Sequence, residues 1–442
     1  MELVSNPKIR TATCFFIYCF FLISHNITTI LFISESTLVL AHNNNHEETS
    51  SSLTQQPNPQ TAAASKALTL SLQNVRHTRA TPVHDQNDFN STITFGIPIG
   101  SFEYATQFGV GTPPQYLHLR IHTGSDITWF QCQYCVTCVP QPPDPIFDGG
   151  ISGSFLSEPC SSPLCNNQSD GRLGCNEQGQ CTYEVPYRDG SLVSGELVME
   201  TLSLEDGTQL TNVTLGCTHI TVGLYQISGG VLGLGRGSLS FNSQLSSQFG
   251  ISNKFSYCLV DPRRSNNTSS SSSSSSSSIM FGDSAVPSSD ADDVIYTPII
   301  QNIDAGGDPE LMRYYYVNLT GISINGERVT GIDEATFRDG TIIDSFESAT
   351  RLYDPAYHEF RNAFLYAAAA LDWKLALEPN SVYDTCFNFT ELSVVQIPTV
   401  EMHFSGGADV QLRPDNYLDD MGGGIHCLAF VESNILVKRW PL

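Results

Sequence analysis

The sequence predicts an all-β protein made of two lobes, and three observations lead to this fold class. From Ser101 onward, short runs of β-forming residues are separated by turns rich in Gly, Pro and Asn, a pattern typical of all-β architectures. A chain of 442 residues is long enough to form two sizeable cores. A strand that runs into a small polar loop occurs once in each half, at 119–125 and at 340–345. We therefore expect each half of the chain to contribute one of two similar turns.

The first of these loops follows two expected strands, 102–110 and 116–121, and begins at His122. An apolar strand leading into X-Thr-Gly-Ser resembles the active-site loop of pepsin-like aspartic proteases, which carry Asp-Thr-Gly-Ser there. The resemblance implies a bilobal pepsin-like fold in which residue 122 stands in a catalytic position. It also implies that the next three residues support the loop, since a Gly without a Cβ lets two backbones approach closely. These supporting residues are Thr123, Gly124 and Ser125.

The second loop carries Asp344 and Ser345, which match the start of the family's second motif. Asp344 is therefore the second candidate catalytic residue, and Ser345 is expected to help lock the two loops together. The chain then departs from the family, because Phe346-Glu347 stand in place of Gly-Thr. A bulky Phe would be strained if this position required a positive φ. Glu347 is interpreted as an exposed loop residue, with a substitute acid near the catalytic pair as the alternative.

The residue at position 122 alters the chemistry that this pair of loops performs in the family. Aspartic proteases use two carboxylates about 3 Å apart that share one proton, so that one acts as base and the other as acid. His122 removes one carboxylate, and an imidazole with a pKa of ~6.5 is cationic at acid pH and would pair with Asp344. Loss of activity is one interpretation. The other is a histo-aspartic mechanism, as in a variant of this family, with Asp344 as base and His122 stabilising the oxyanion.

A hairpin at 183–202 resembles the flap that closes over substrate in the family. Tyr187 takes the role of the flap tyrosine by position, and Arg188 replaces a family Gly and is expected to stiffen or displace the tip. The Gly-rich stretch 229–240 lacks the Lys-Ser/Thr and the βαβ context of a phosphate loop, and it resembles the family strand beneath the first loop. Farther on, 354–371 is predicted to be a helix, because Pro lies near its start and alanines fill its body.

The cysteines indicate a disulfide framework in the first lobe. Thirteen are present, of which Cys14 and Cys19 lie in the apolar N-terminal region, and the other eleven are an odd number, so one lacks an internal partner. The C-x2-C-x2-C run at 132–138 is compatible with zinc, but disulfides are favoured in an exported chain. The spacing resembles the cysteine-rich insertion of plant nepenthesin-like aspartic proteases, so no metal and no cofactor are expected. The eleven are Cys132, Cys135, Cys138, Cys160, Cys165, Cys175, Cys181, Cys217, Cys258, Cys386 and Cys427.

The charge of the chain limits its partners. Asp and Glu outnumber Lys and Arg by 45 to 21, which gives a formal net charge of −24. Nucleic acid and anionic membrane surfaces are therefore poor partners. The family resemblance implies a peptide or protein substrate in the cleft between the lobes. We expect the chain to act as a monomer with no stable membrane span.

The N-terminal region 1–41 is expected to be a signal peptide, because Lys8 and Arg10 precede an apolar run and a small-residue cleavage site ends at Ala41. A membrane anchor is the alternative, but polar residues interrupt the apolar run. Residues 42–100 are polar and are expected to be a propeptide, or a disordered leader without an inhibitory role. Secretion to the extracellular space or the vacuole also agrees with N-glycosylation sequons. They lie at Asn90, Asn167, Asn212, Asn266, Asn267, Asn318 and Asn388.

The two lobes of the peptidase domain are expected at 101–292 and 293–442. A serine run at 269–278 is expected to be a flexible surface insertion. The resemblance to the family extends to Phe430, and 431–442 matches none of the strands that close the family's second lobe. The C-terminal lobe is therefore expected to be incomplete, as a truncated form or through an altered gene model, and to leave strand edges uncovered.

These observations support three hypotheses about function. The first is a secreted aspartic-type endopeptidase family member whose catalysis is impaired by His122 and by the Asp-Ser-Phe-Glu motif at 344–347. The second is an active histo-aspartic peptidase. The third is a non-catalytic protein that binds a partner in its cleft, as the xylanase inhibitors of this fold do.

Overall fold

The computed structural model describes most of the chain from Phe89 to Ser433 and two short segments before it. The regions expected to be the signal peptide (1–41) and the propeptide (42–100) lie largely outside the described residues, as do most of the serine run 269–278 and the stretch after Ser433. The described residues are 30–33, 38–42, 89–95, 104–166, 172–223, 229–259, 277–285, 294–301, 309–347, 349–376, 383–392 and 394–433.

Fifteen strands belong to one sheet system in the first lobe. They are β1 (Ile30–Ile33), β2 (Leu38–His42), β3 (Phe89–Phe95), β4 (Tyr104–Val110), β5 (Gln115–His122), β6 (Trp129–Gln131), β7 (Leu156–Ser157), β8 (Leu173–Cys175), β9 (Cys181–Pro186), β10 (Leu192–Ser203), β11 (Gln209–Val222), β12 (Gly230–Gly233), β13 (Asn253–Cys258), β14 (Ser277–Phe281) and β15 (Val294–Thr297). Hydrogen-bonded neighbours follow the order β15-β1-β2-β13-β14-β3-β4-β5-β12-β6-β11-β10-β9-β8, with β7 paired to β10.

The second lobe contains thirteen shorter strands in four sheets. They are β16 (Ile299–Ile300), β17 (Tyr315–Val317), β18 (Leu319–Ile324), β19 (Glu327–Arg328), β20 (Thr341–Ile343), β21 (Thr350–Leu352), β22 (Lys374–Leu375), β23 (Cys386–Asn388), β24 (Val400–Phe404), β25 (Ala408–Leu412), β26 (Leu418–Gly422), β27 (Ile425–Leu428) and β28 (Phe430–Glu432). The sheets have the orders β16-β17-β20, β19-β18-β24-β25, β22-β23-β27-β26 and β21-β28.

Four α-helices and four single 3₁₀ turns complete the described residues. The α-helices are α1 (Pro163–Asn166), α2 (Phe241–Phe249), α3 (Pro309–Met312) and α4 (Ala356–Ala369), and the 3₁₀ turns are Gly149–Ile151, Asp283–Ala285, Glu334–Phe337 and Pro414–Asn416. The structure confirms the helix predicted at 354–371, within two residues at each end. No helix among the described residues is long and apolar enough to cross a membrane.

Helix α4 carries the aromatic core of the second lobe. Its buried face includes Phe360 and Phe364, which lie four residues apart and therefore on the same side of a helix. The Phe360 ring packs 4.3 Å from that of Phe430 on β28, and the Phe364 ring lies 6.0 Å from that of Tyr417. This packing connects the strand after the second loop to the rest of the lobe, since β28 pairs in parallel with β21.

The strands that position the first loop match the prediction. β4 and β5 form an antiparallel pair, and β12 runs parallel to β5 and antiparallel to β6. The Gly-rich stretch is therefore a buried strand beneath the first loop. In contrast, β3 was not predicted, although it pairs with β4 and β14 and buries Phe89 and Ile93. It lies within the polar region 42–100, where only a few apolar residues mark a strand.

The second loop is less enclosed than the first. β20 leads into Asp344 and pairs with β17 on one side, and within the described residues it forms the edge of its sheet. β5, by contrast, has a neighbour on each side. Among the described residues β20 therefore has one neighbouring strand, whereas β5 has two.

Five disulfides confirm the interpretation of the cysteine pattern. Three lie in the cysteine-rich region, one ties β6 to β11, and one joins β23 to β27. The pairs are Cys132–Cys217, Cys135–Cys138, Cys160–Cys175, Cys165–Cys181 and Cys386–Cys427. Cys258 is the eleventh described cysteine and lies outside these bonds.

Candidate active site

The first loop is held by the strand beneath it. The carbonyl of His122, the last residue of β5, accepts hydrogen bonds from the N–H groups of Leu234 and Ser125, at 3.0 Å and 3.4 Å. Gly235 N donates to the Ser125 carbonyl at 2.8 Å. A Cβ on Gly233 would collide with the Asp126 backbone, so this strand needs a glycine where it passes under the loop. The loop is therefore rigid because its backbone groups are paired inside the lobe.

The two loops are joined by reciprocal hydrogen bonds. Thr123 N donates to Ser345 Oγ at 3.1 Å, and Ser345 N donates to Thr123 Oγ1 at 2.9 Å. Ser345 Oγ also donates to the carbonyl of Ile121 at 2.9 Å. Thr123 is fully buried, so these bonds form away from water. The structure thus brings together the turns from the two halves of the sequence.

His122 and Asp344 lie side by side at the centre of this arrangement. His122 Nε2 is 3.5 Å from Asp344 Oδ1, and the two side chains are only 7% and 14% exposed. A Cβ on Gly124 would come within 3.0 Å of His122, Asp344 and Tyr314. Glycine at 124 is therefore a steric requirement of the close approach. The chain places an imidazole and a carboxylate together where the family has two carboxylates.

The surroundings of Asp344 favour its charged form. Burial by itself raises the pKa of this carboxyl. The charge and hydrogen bond of His122, the N–H of Phe346 at 3.0 Å and the charge of Arg313 act in the opposite direction, and together they lower the pKa below its usual value. The charged carboxylate is therefore the favoured form of Asp344.

Aromatic rings cover the imidazole. Phe346 stacks on His122 with ring centroids 4.5 Å apart and planes 22° apart, and Tyr187 lies 5.8 Å away at 23°. The Arg120 guanidinium carbon lies 5.1 Å from the centre of the Phe346 ring. The position of a guanidinium over a ring is favourable because the ring face is electron-rich. Phe346 therefore packs against the central residues themselves.

The flap is closed over this site. Tyr187 Oη accepts a hydrogen bond from Trp129 Nε1 at 2.8 Å and lies 3.2 Å from Ser125 Oγ. At the tip, the exposed Arg188 places its guanidinium carbon 5.2 Å from the centre of the Tyr314 ring, which belongs to the second lobe. The predicted flap tyrosine and the residue after it thus contact both lobes.

The structure decides two details of the second loop that the sequence left open. Positive φ angles among the described non-glycine residues occur at Asn212, Asn325 and Asp372, so Phe346 has an ordinary backbone conformation and the expected strain is absent. Glu347 is half exposed and pairs with Arg351 Nε at 2.9 Å. This agrees with an exposed loop residue, and its carboxylate is engaged away from His122.

Sequence reasoning missed three residues that surround the site, namely Arg120, Arg313 and Tyr314. Arg120 could have been noticed as a charged residue inside an apolar strand. Arg313 and Tyr314 are brought to the first loop by contacts between lobes, in which Arg236 N donates to the Arg313 carbonyl at 3.1 Å and Arg236 Nη1 to the Tyr314 carbonyl at 3.4 Å. Such contacts have no signature in the local sequence.

Two groups of possible metal ligands occur among the described residues. One is Cys160, Cys165 and Cys175, and the other is Glu196, Cys217 and His219. Every cysteine in both groups is in a disulfide. A disulfide sulfur is not the thiolate that binds zinc, so neither group has the donors of a zinc site.

Comparison with known proteins assigns the chain to a family. The family models described as Xylanase inhibitor N-terminal and Xylanase inhibitor C-terminal match residues 104–283 and 314–439. The second match continues past Phe430, where the sequence resemblance was expected to end. The chain is 36% identical over 358 residues to Protein ASPARTIC PROTEASE IN GUARD CELL 2 of Arabidopsis thaliana, covering 79% of this chain and 70% of that protein. The chain belongs to the pepsin-like aspartic protease family, in its nepenthesin-like group.

Other aspartic protease relatives agree. Aspartyl protease family protein 2 of Arabidopsis thaliana is 40% identical over 350 residues, with 77% of this chain and 66% of that protein covered. Aspartic proteinase nepenthesin-1 of Nepenthes gracilis is 33% identical over 353 residues, with 78% and 74% covered. The chain thus spans about two thirds to three quarters of the length of these relatives.

Solved structures support the same pepsin-like fold. Basic 7S globulin from soybean superimposes with a TM-score of 0.59 at 18% identity, covering 78% of this chain and 87% of that one. Conglutin gamma from lupine seeds gives a TM-score of 0.58 at 19% identity, covering 78% and 86%. At these identities the similarity establishes the bilobal fold alone.

Proposed function

We propose that this member of the aspartic protease family binds peptides in its inter-lobe cleft but is impaired in cleaving them. The observation that carries the proposal is the pair of side chains at the centre, in which the imidazole Nε2 of His122 lies 3.5 Å from Asp344 Oδ1. The usual mechanism of peptide hydrolysis in this family uses two carboxylates that share a proton, one to activate water and one to protonate the carbonyl. This chain provides one carboxylate there.

The state of that carboxylate also argues against efficient catalysis. The charge of His122 lowers the pKa of Asp344, and a carboxylate with a lower pKa is a weaker general base. His122 Nδ1 is buried and makes no hydrogen bond to any described residue, so no partner fixes the tautomer as in catalytic histidine pairs. The stacked Phe346 ring lies against the imidazole at 4.5 Å and takes space beside the reacting groups.

A histo-aspartic peptidase is the second candidate, and the same distance supports it. At 3.5 Å, a protonated His122 could stabilise an oxyanion while Asp344 activates water. A non-catalytic binding protein is the third, and the description of the matching family models as xylanase inhibitors supports it. Both candidates use the same cleft as the first proposal. The second would cleave the bound peptide, whereas the third would bind a partner without cleaving it.

A cleavage assay separates the impaired protease from an active histo-aspartic peptidase. The purified chain is incubated with a denatured protein across acidic and neutral pH, alongside His122→Asp, Asp344→Asn and the double variant His122→Asp/Phe346→Gly. We expect no cleavage by the native chain above the Asp344→Asn background, and measurable cleavage by the double variant, which has both carboxylates and more space. Cleavage by the native chain that disappears in Asp344→Asn would contradict impairment and support histo-aspartic chemistry.

We also propose that the protein is secreted, is glycosylated and acts as a monomer. The five disulfides support an oxidising compartment, and the signal-like N-terminus and the sequons agree with this. Expression with a reporter fused after the full chain tests export, and glycosidase treatment tests for N-glycans. Light scattering of the purified protein tests the monomeric state.

A further inference from the structure

Aromatic rings cover the central pair, which consists of His122 and Asp344. The side chains of these two residues are only 7% and 14% exposed. Phe346 stacks on the imidazole at 4.5 Å between ring centroids, and the ring of Tyr187 in the flap lies 5.8 Å from it. A ligand that contacts the central pair must therefore displace at least one of these rings.

A third ring, that of Tyr314 in the second lobe, lies against the first loop. A Cβ built on Gly124 would be 2.7 Å from Cε1 of Tyr314, and Tyr314 is 6% exposed. The carbonyl of Tyr314 accepts from Arg236 Nη1 at 3.4 Å, and its hydroxyl lies 3.5 Å from Arg313 Nη2. Tyr314 is therefore held in place by both lobes.

Arg188 at the tip of the flap reaches this ring. Its guanidinium carbon lies 5.2 Å from the centre of the Tyr314 ring, and a cation within about 6 Å of a ring centre is attracted to the ring face. Arg188 is exposed, so the contact forms at the surface, above the covered pair. The family glycine that Arg188 replaces has no side chain with which to make such a contact. The contact therefore ties the flap of this chain to the second lobe.

The turn at the flap tip makes Arg188 and Tyr187 move together. Tyr187 N donates to the Ser191 carbonyl at 2.8 Å, and Gly190 N donates to the Tyr187 carbonyl at 3.0 Å. The carboxylate of Asp189, next to Arg188, accepts from the N–H and the hydroxyl of Ser191, both at 2.8 Å. Asp189 thus belongs to the flap, and its attraction for Arg188 is present whether the flap is closed or lifted. The contact with the second lobe is present in the closed flap alone.

We propose that Arg188 and Tyr314 form a latch that keeps the flap closed over the central pair, and that release of this latch gates the entry of ligands into the cleft. The proposal rests on the proposed function, in that the cleft is taken to bind peptides. Lifting the flap breaks the contact of the guanidinium with the ring and the hydrogen bond from Trp129 Nε1 to Tyr187 Oη. A peptide that enters the open form binds with an affinity that is reduced by the fraction of molecules that are open.

Exchange of the indole hydrogen of Trp129 measures flap opening without any ligand. This hydrogen is bound by Tyr187 of the flap, and Trp129 is 1% exposed, so its exchange with solvent reports lifting of the flap tip. In NMR with nitrogen-labelled tryptophan, Arg188→Gln should speed the exchange about two- to fivefold, the range for one exposed cation–π contact. The indole of Trp373, which donates to the Gln396 carbonyl at 3.1 Å, is the internal control and should exchange at an unchanged rate.

Further variants identify the contact. Arg188→Lys keeps a cation that can lie over a ring and should keep most of the slow exchange. Arg338→Gln, at a side chain that is 79% exposed, is the matched control for the loss of one positive charge. In a Tyr314→Leu background the ring is absent, so Arg188→Gln should add no further acceleration. Equal exchange in the native chain and Arg188→Gln would overturn the proposal, and so would a full effect of Arg188→Gln in the Tyr314→Leu background.

Binding of an uncharged, fluorescent apolar octapeptide connects the latch to the cleft. Measured by anisotropy, Arg188→Gln should bind this peptide more tightly than the native chain, by the same factor as its indole exchange is faster. Arg188→Lys should bind it as the native chain does. Faster exchange with equal peptide affinities in the native chain and Arg188→Gln would overturn gating by the latch. Faster exchange with no peptide binding by either protein would contradict the proposed function and support the latch, so the two failures are distinguishable.

Discussion

Replacing Ser345 with Ala tests whether the reciprocal bonds between the loops hold the two lobes together. The Ser345 hydroxyl accepts from Thr123 N at 3.1 Å and donates to the Ile121 carbonyl at 2.9 Å. A net hydrogen bond contributes ~1 kcal/mol, and a buried group left without its partner costs about 1–3 kcal/mol more. Thr123 and Ile121 are 0% and 1% exposed, so water does not replace the lost partner. We expect the free energy of unfolding to fall by about 3 kcal/mol.

The assay is urea unfolding with the disulfides intact, followed by intrinsic fluorescence and compared at constant slope. Ser247→Ala is the control, because Ser247 is exposed on α2 and makes one weak contact, at 3.4 Å, to the Gln244 carbonyl. That control should change the free energy by less than about 0.5 kcal/mol. If Ser345→Ala were no more destabilising than Ser247→Ala, the loops would not be coupled through this hydroxyl, and our account of how the centre is assembled would be refuted.

Three further predictions concern the charge, the flap and the core. Because the folded pKa of Asp344 is lowered, its stabilising contribution is present above the unfolded value of ~3.9 and is lost as pH falls through the folded pKa. Stability measured between about pH 5 and 2 should therefore decline more steeply in the native chain than in Asp344→Asn, and parallel curves would contradict this. Tyr187→Phe loses the 2.8 Å bond from Trp129, and hydrogen exchange of the flap amides should become about five- to tenfold faster, corresponding to ~1 kcal/mol; unchanged exchange would refute it. Phe364→Ala should cost about 3–5 kcal/mol in unfolding experiments, whereas Tyr366→Ala on the exposed face of the same helix, where Tyr366 is 82% exposed, should cost much less.

Local sequence patterns were enough to predict the strands before the first loop and the long helix of the second lobe. Alternating apolar residues located β4 and β5, and the proline and alanines located α4. The flap hairpin was predicted from its resemblance to the family, and the structure pairs β9 with β10 there. These features depend on neighbours within a few residues, so the sequence carries them directly.

Other features depend on partners far away in the chain. β3 forms a strand because its backbone pairs with β4 and β14. Its own polar sequence gives little indication of a strand. The choice of disulfide pairs and the ordinary backbone of Phe346 were likewise open before the structure. In each case, packing over long sequence distances outweighs local preference.

The sequence by itself determined that two related loops exist, that one carries His122 in place of a carboxylate, and that the chain belongs to an all-β, disulfide-linked architecture. Tertiary structure alone decided how these loops meet. It placed the imidazole 3.5 Å from Asp344 and stacked Phe346 on the imidazole. It also placed the guanidinium carbons of Arg188 and Arg313 each 5.2 Å from the centre of the Tyr314 ring. The physical reason is that charge and stacking act through space, between residues more than two hundred positions apart in the chain for the central pair.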